Sequence, residues 1–125
     1  MSEKKTVILA VDDNENVIEL IKETLEGEDY DVISTTRGAD ALEIALKSTP
    51  DLILLDLIMP DVDGLKVLKS MRKRPEFSQT PIVFLTATKD EKTVKQGEKY
   101  GVTVYLTKPF SPLLLIKRVK SILDS

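Results

Sequence analysis

The chain has 125 residues, enough for one domain with a hydrophobic core and too few for two. Hydrophobic residues make up 42%, charged residues 31%, and the net charge is −3, so a packed globular fold is expected and neither nucleic acid nor an acidic membrane is favoured as a partner. There is no cysteine and no histidine, which excludes a disulfide framework, thiolate or imidazole metal sites, a Ser-His triad and a phosphohistidine on this chain.

The first predicted element is a strand, Thr6–Val11, an apolar run that ends in Asp12-Asp13. A helix over Asn14–Glu26 follows. Val17, Leu20, Ile21 and Leu25 share one stripe, and Gly27 is placed to cap its end. A strand over Asp31–Thr35 leads to a helix over Ala39–Lys47, with Ala41, Leu42, Ala45 and Leu46 together. The third strand, Asp51–Leu55, is apolar to its end at Asp56. The turn Met59-Pro60-Asp61-Val62-Asp63 then enters a helix over Gly64–Arg74, whose inward residues are Leu65, Leu68 and Met71 and which Pro75 stops. Arg72-Lys73-Arg74 reads as a solvated helix end among otherwise scattered cations, and Pro75–Thr80 as a loop. A strand over Pro81–Leu85 runs into Thr86.

The next helix, about Asp90–Tyr100, is the weak one. Its clear apolar residues are Val94 and Tyr100, and Gly97 inside it costs roughly 1 kcal/mol relative to Ala. A surface helix held by its neighbours and a mobile helix that can shift both fit. The last strand, Val102–Leu106, leads through Thr107 to Lys108-Pro109. Ser111-Pro112 is a helix start, a hydroxyl N-cap followed by proline at the first position. Leu115, Ile116, Val119, Ile122 and Leu123 form the stripe of that final helix. No apolar stretch approaches the roughly 20 residues of a membrane helix. Met1-Ser2-Glu3-Lys4-Lys5 precedes no separable apolar leader.

Five strand–helix alternations argue for an α/β fold: a doubly wound five-stranded parallel sheet, order 2-1-3-4-5, with helices on both faces and right-handed crossovers. The chain reads as a single domain, 1–125. Strands one and three are then neighbours at the switch point, where ligands bind at the carboxyl ends of strands. That places Asp12-Asp13 beside Asp56, with Thr86 and Lys108 on the same rim.

Three carboxylates this close repel unless a cation intervenes. Mg²⁺ is hard, prefers oxygen and commonly takes one or two carboxylates with waters and a phosphate oxygen. Asp13 and Asp56 are expected as direct ligands, Asp12 directly or through water, and the carbonyl of Ile58 completes the set. A carboxylate oxygen can form an acyl phosphate, so Asp56 is the candidate nucleophile. Phosphoryl transfer asks mainly for positioning and charge neutralisation, which Lys108 and Mg²⁺ supply, while Thr86 donates its hydroxyl. Asp12-Asp13 taken alone would serve equally as caps of the first helix.

Two other functions fit the topology less well. A flavin or nucleotide site needs glycines and hydroxyls after the first strand, where this chain has Asp12-Asp13-Asn14-Glu15, and its glycines form no GxGxxG. An aspartyl-nucleophile phosphatase needs an acid two places past the nucleophile, where this chain has Ile58.

Four segments carry a specific likeness: Val11-Asp12-Asp13, Leu54-Leu55-Asp56-Leu57-Ile58-Met59-Pro60-Asp61-Val62-Asp63-Gly64, Leu85-Thr86-Ala87 and Tyr105-Leu106-Thr107-Lys108-Pro109-Phe110. They resemble a response-regulator receiver domain of two-component signalling, and the likeness runs from about Val7 to Leu123. It implies the flavodoxin-like fold of chemotaxis regulators and a cytoplasmic location. It implies that Asp56 accepts a phosphoryl group from a sensor histidine kinase or phosphotransfer protein, with Mg²⁺ held by Asp12, Asp13 and Asp56. It implies that Thr86 and Tyr105 switch together, that Lys108 contacts the phosphoryl group and that Lys108-Pro109 is cis. Such a chain is a binding module that assists its own phosphorylation and dephosphorylation, not an enzyme with a separate substrate.

The sequence departs from the family where Ala-Gly-Ala-Asp-Asp often precedes the aromatic switch residue. Here Lys99-Tyr100-Gly101-Val102-Thr103-Val104 precedes Tyr105, on the usual output face, so the output partner stays unassigned. Ile58, bulky and apolar, is expected to shield an acyl phosphate on Asp56 from water. Leu113 and Leu114 fall off the buried stripe. They are either scattered surface leucines or, with Val94 and Tyr105, a patch for a partner or a homodimer. After the final helix the chain reaches Asp124-Ser125 with no output domain in view. A stand-alone regulator and one domain of a longer regulator both fit. The Lys108–Pro112 stretch with Arg118-Val119 looks like receivers that precede DNA-binding domains.

Overall fold

The computed structural model describes residues 5–87, 91–102 and 104–124. Strands β1 (Val7–Val11), β2 (Asp31–Thr35), β3 (Leu52–Asp56), β4 (Ile82–Thr86) and β5 (Val104–Thr107) form one parallel sheet in the order β2-β1-β3-β4-β5. Helices α1 (Glu15–Glu26), α2 (Ala41–Ser48), α3 (Gly64–Arg72), α4 (Glu91–Lys99) and α5 (Pro112–Leu123) connect and follow them. This is the doubly wound fold expected from the alternation.

Every residue of β1, β3 and β4 is buried, because helices cover both faces and a strand sends alternate side chains to each. On one face Leu9, Ile53, Leu55 and Phe84 pack with Ala41, Ala45, Leu68 and Met71 of α2 and α3. On the other, Ile8, Leu54 and Leu85 pack with Ile21 and Leu25 of α1 and Leu115 and Val119 of α5. Among the described residues no helix is long and apolar enough to cross a membrane.

The differences from expectation lie at element ends. Gly27 closes α1 in helical conformation, φ −63°, and Asp29 at φ 71° supplies the left-handed turn. Within α1, Ile18 joins Ile21 and Leu25 in the core, while Val17 and Leu20 are half-buried. A 3-10 turn, Gly38–Asp40, precedes α2, so the helix begins later than Ala39. In α3, Val67 is buried where Leu65 was expected, and Leu65 is half-buried. The expected start of α4 at Asp90 lies outside the described residues. Val102 is buried just before β5 rather than within it.

Arg72 overturns a further expectation. It is no solvated helix end: its guanidinium donates to the carbonyls of Tyr100 (2.6 Å), Phe77 (2.6 Å) and Thr80 (2.7 Å). Pro75–Phe77, expected as loop, is a second 3-10 turn that buries Phe77. Three carbonyls that show no helix or sheet partner among the described residues thus share one half-buried cation.

Candidate functional site

The strand register aligns the ends that carry chemistry. Val11 pairs with Leu55, Asp56 with Leu85, and Thr86 with Thr107. Asp12, Asp13 and Asp56 therefore meet, each offering an oxygen within 4.8 Å of the others. Asp12 and Asp56 are buried and Asp13 is exposed at the rim. Thr86 is buried at the end of β4.

Neither Asp12 nor Asp13 caps the first helix. Asn14 does, accepting from the N–H groups of Asn16 and Val17, which leaves both aspartates to the site. Asn14 N–H also donates to Asp12 Oδ1 at 2.9 Å. The backbone N–H of Lys108 donates to the Thr86 carbonyl at 2.7 Å, and the Lys108-Pro109 bond is cis. The Lys108 ammonium lies 2.6 Å from Asp12 Oδ2 and 3.4 Å from Asp56 Oδ2.

Asp12 Oδ2 is fully buried, and the charge that faces it is the Lys108 ammonium. Three carboxylates this close, with one ammonium to offset them, form an all-oxygen cluster that fits a hard divalent cation such as Mg²⁺. Burial raises the Asp56 carboxyl. The charge of Asp12 and a hydrogen bond with Asp13 add to this, Lys108 and the Ile58 N–H oppose it, and the balance is about 6.

The turn after Asp56 is built on Gly64. A Cβ there would stand 2.5 Å from the Asp56 carbonyl oxygen and 2.8 Å from Leu57 Cα, so the close backbone approach admits no side chain. Gly64 N–H donates to the Leu57 carbonyl, Ile58 bridges to Asp63, and Asp63 caps α3 through Leu65 N–H. Ile58 N–H donates to Asp56 Oδ1 at 3.3 Å, while its side chain is 66% exposed.

Asp61 is a residue that the sequence reading passed over as turn filler. Its carboxylate accepts from Ala39 N–H (3.0 Å) and Gly38 N–H (3.3 Å), and the Ala39 bond holds it below the usual carboxyl range. It ties the loop after Asp56 to the start of the Gly38–Asp40 turn. No local pattern reveals that partnership, which spans α2 and β3.

Tyr105 and Val94 come together: the Tyr105 hydroxyl donates to the Val94 carbonyl at 2.7 Å. Burial holds the Tyr105 phenol above its ordinary value, with the charge of Glu98 adding. Its ring lies 5.8 Å from that of Phe84 at 59°. Leu113 and Leu114 sit on the first turn of α5, 70% and 36% exposed.

The sequence model of the response regulator receiver domain matches residues 8–120, and the chain belongs to that family. It is 42% identical over 116 residues to the alkaline phosphatase synthesis transcriptional regulatory protein PhoP of Bacillus subtilis, a match covering 93% of this chain and 48% of that protein. The chain spans about half the length of the curated relatives it matches. The chemotaxis protein CheY4 of Vibrio cholerae superposes with a TM-score of 0.90 at 31% identity, over 95% of this chain and 99% of that one. The BeF3-activated receiver domain of RstA from Klebsiella pneumoniae superposes at 0.85, also at 31% identity, over 96% and 100%. The fold and family are those of a receiver domain in two-component signalling.

Proposed function

We propose that this receiver is a phosphorylation-activated switch whose acceptor is Asp56. The observation that carries the reading is the buried Asp12–Asp56 pair with Asp13 at its mouth and Lys108 between them. An Asp56 oxygen attacks the phosphorus of a phosphohistidine on a sensor kinase or phosphotransfer protein. The P–N bond breaks, the imidazole leaves with its electron pair, and an acyl phosphate forms on Asp56. Mg²⁺, held by Asp12, Asp13, Asp56 and the Ile58 carbonyl, supplies positive charge to the phosphoryl oxygens. Lys108 adds its ammonium and Thr86 its hydroxyl. Tyr105 responds with Thr86 and passes the change to a protein surface. In this reading the chain works in the cytoplasm, acts on no separate substrate, and touches neither nucleic acid nor membrane directly.

The experiment is an intact mass after incubation with Mg²⁺ and acetyl phosphate, beside Asp56→Asn. One phosphoryl group is expected, dependent on Mg²⁺ and absent in the mutant. No gain in the wild type, or an equal gain in the mutant, would reject the acceptor assignment. The lifetime of the phosphorylated form tests Ile58: Ile58→Asn is expected to shorten it, and an unchanged lifetime removes the shielding role.

A further inference from the structure

Gly97 is buried in the last turn of α4, and within a helix alanine is the better former by roughly 1 kcal/mol. A Cβ built there would lie 2.7 Å from the Tyr105 hydroxyl oxygen and 2.9 Å from the Phe84 ring. Both are closer than such atoms pack. Phe84 is fully buried in the central sheet and cannot yield. Tyr105 is half-buried on the edge strand β5 and can. Through the same opening the Tyr105 hydroxyl reaches the Val94 carbonyl oxygen. Val94 and Gly97 are three residues apart, on one face of the helix. A side chain at 97 would stand in the path between hydroxyl and backbone.

We propose that Gly97 is a positioning residue for the switch: the notch it leaves in α4 is the seat that holds Tyr105 against the Val94 carbonyl. A methyl group at 97 pushes the ring out of the seat, breaks the hydroxyl's bond to α4 and uncouples β5 from that helix. The signalling consequence rests on the reading of Tyr105 as a switch residue; the seat rests on the packing. If seating and ligand binding at Asp56 are linked, a change in one alters the other by the same free energy.

The test uses the full chain labelled with 3-fluorotyrosine. It has three tyrosines, and Tyr105→Phe assigns the signal of Tyr105. Gly97→Ala is expected to move the Tyr105 signal and leave that of Tyr30 in place. With Mg²⁺ present, the beryllofluoride concentration that half-saturates the site is expected to change by about threefold or more. An unmoved Tyr105 signal in folded Gly97→Ala would overturn the seat. Unfolding midpoints provide the second reading. The cost of Gly97→Ala is expected to shrink in the Tyr105→Phe background, and an equal cost with and without the hydroxyl would also overturn the seat. If beryllofluoride fails to bind the wild type, the acceptor reading falls, while the ligand-free Tyr105 signal still decides on the seat.

Discussion

Asp56 is held in a place that resists its charge. Below about pH 3.8 it is protonated whether the chain is folded or not, and costs nothing. Between there and about pH 6 the unfolded chain releases the proton first, so stability falls as pH rises, and the deficit is complete above that window. By pH 7 it reaches about 3 kcal/mol. Asp56→Asn lacks it, and is expected to be the more stable protein at pH 7 in a chelator, with the two converging near pH 4. Urea unfolding from pH 4 to 7.5 checks this; a constant gap across that range would reject it. Added Mg²⁺ is expected to stabilise the wild type and not the mutant. Lys108→Met should tighten Mg²⁺ binding, because the ammonium 2.6 Å from Asp12 competes for the same oxygen; calorimetric titration showing weaker binding would count against that competition. That Asp12, Asp13, Asp56, Thr86 and Lys108 share one rim was legible in the sequence, because each stands at the end of an apolar run and parallel pairing turns that position into proximity. Asp61 was not, since its meaning comes from two N–H groups 22 and 23 residues earlier.

At the scale of elements, strands and helices were readable from periodicity, and their ends only where a local signal marked them, as Ser111-Pro112 marks the start of α5. Gly27 does cap α1, as its position suggested, but in helical conformation, and the left-handed turn comes two residues later at Asp29. The run Arg72-Lys73-Arg74 looked uniform, and burial divides it: Arg72 goes in to meet three carbonyls, while Lys73 and Arg74 stay exposed. Those carbonyls belong to the segment after α3 and to the end of α4, so one side chain holds two connections. Removing it leaves partly buried acceptors without that donor. Arg72→Met is expected to cost about 2–4 kcal/mol, read as a lower urea midpoint. A loss under about 0.5 kcal/mol would mean that water replaces the guanidinium without penalty. The choice left open for α4 also narrows. Gly97 is a glycine with a packing reason, so its presence alone is no argument for a loose helix.

For the molecule as a whole, the sheet divides the interior into two separate cores, and all the candidate chemistry lies at one rim. Output must leave by an outer surface. The exposed Leu113 and Leu114 offer one on α5. Leu113→Asp with Leu114→Asp is expected to weaken self-association or kinase-dependent phosphorylation severalfold while leaving acetyl phosphate labelling intact, since both sit on the surface away from the core. Sedimentation and phosphotransfer assays that match the wild type would class both as ordinary surface residues. The opposite end of the sheet has a different character. There Arg72 grips the carbonyl of Tyr100, one residue beyond α4. A helix held at its trailing end has a pivot there, so if α4 moves it is expected to tilt at its leading end rather than slide as a whole.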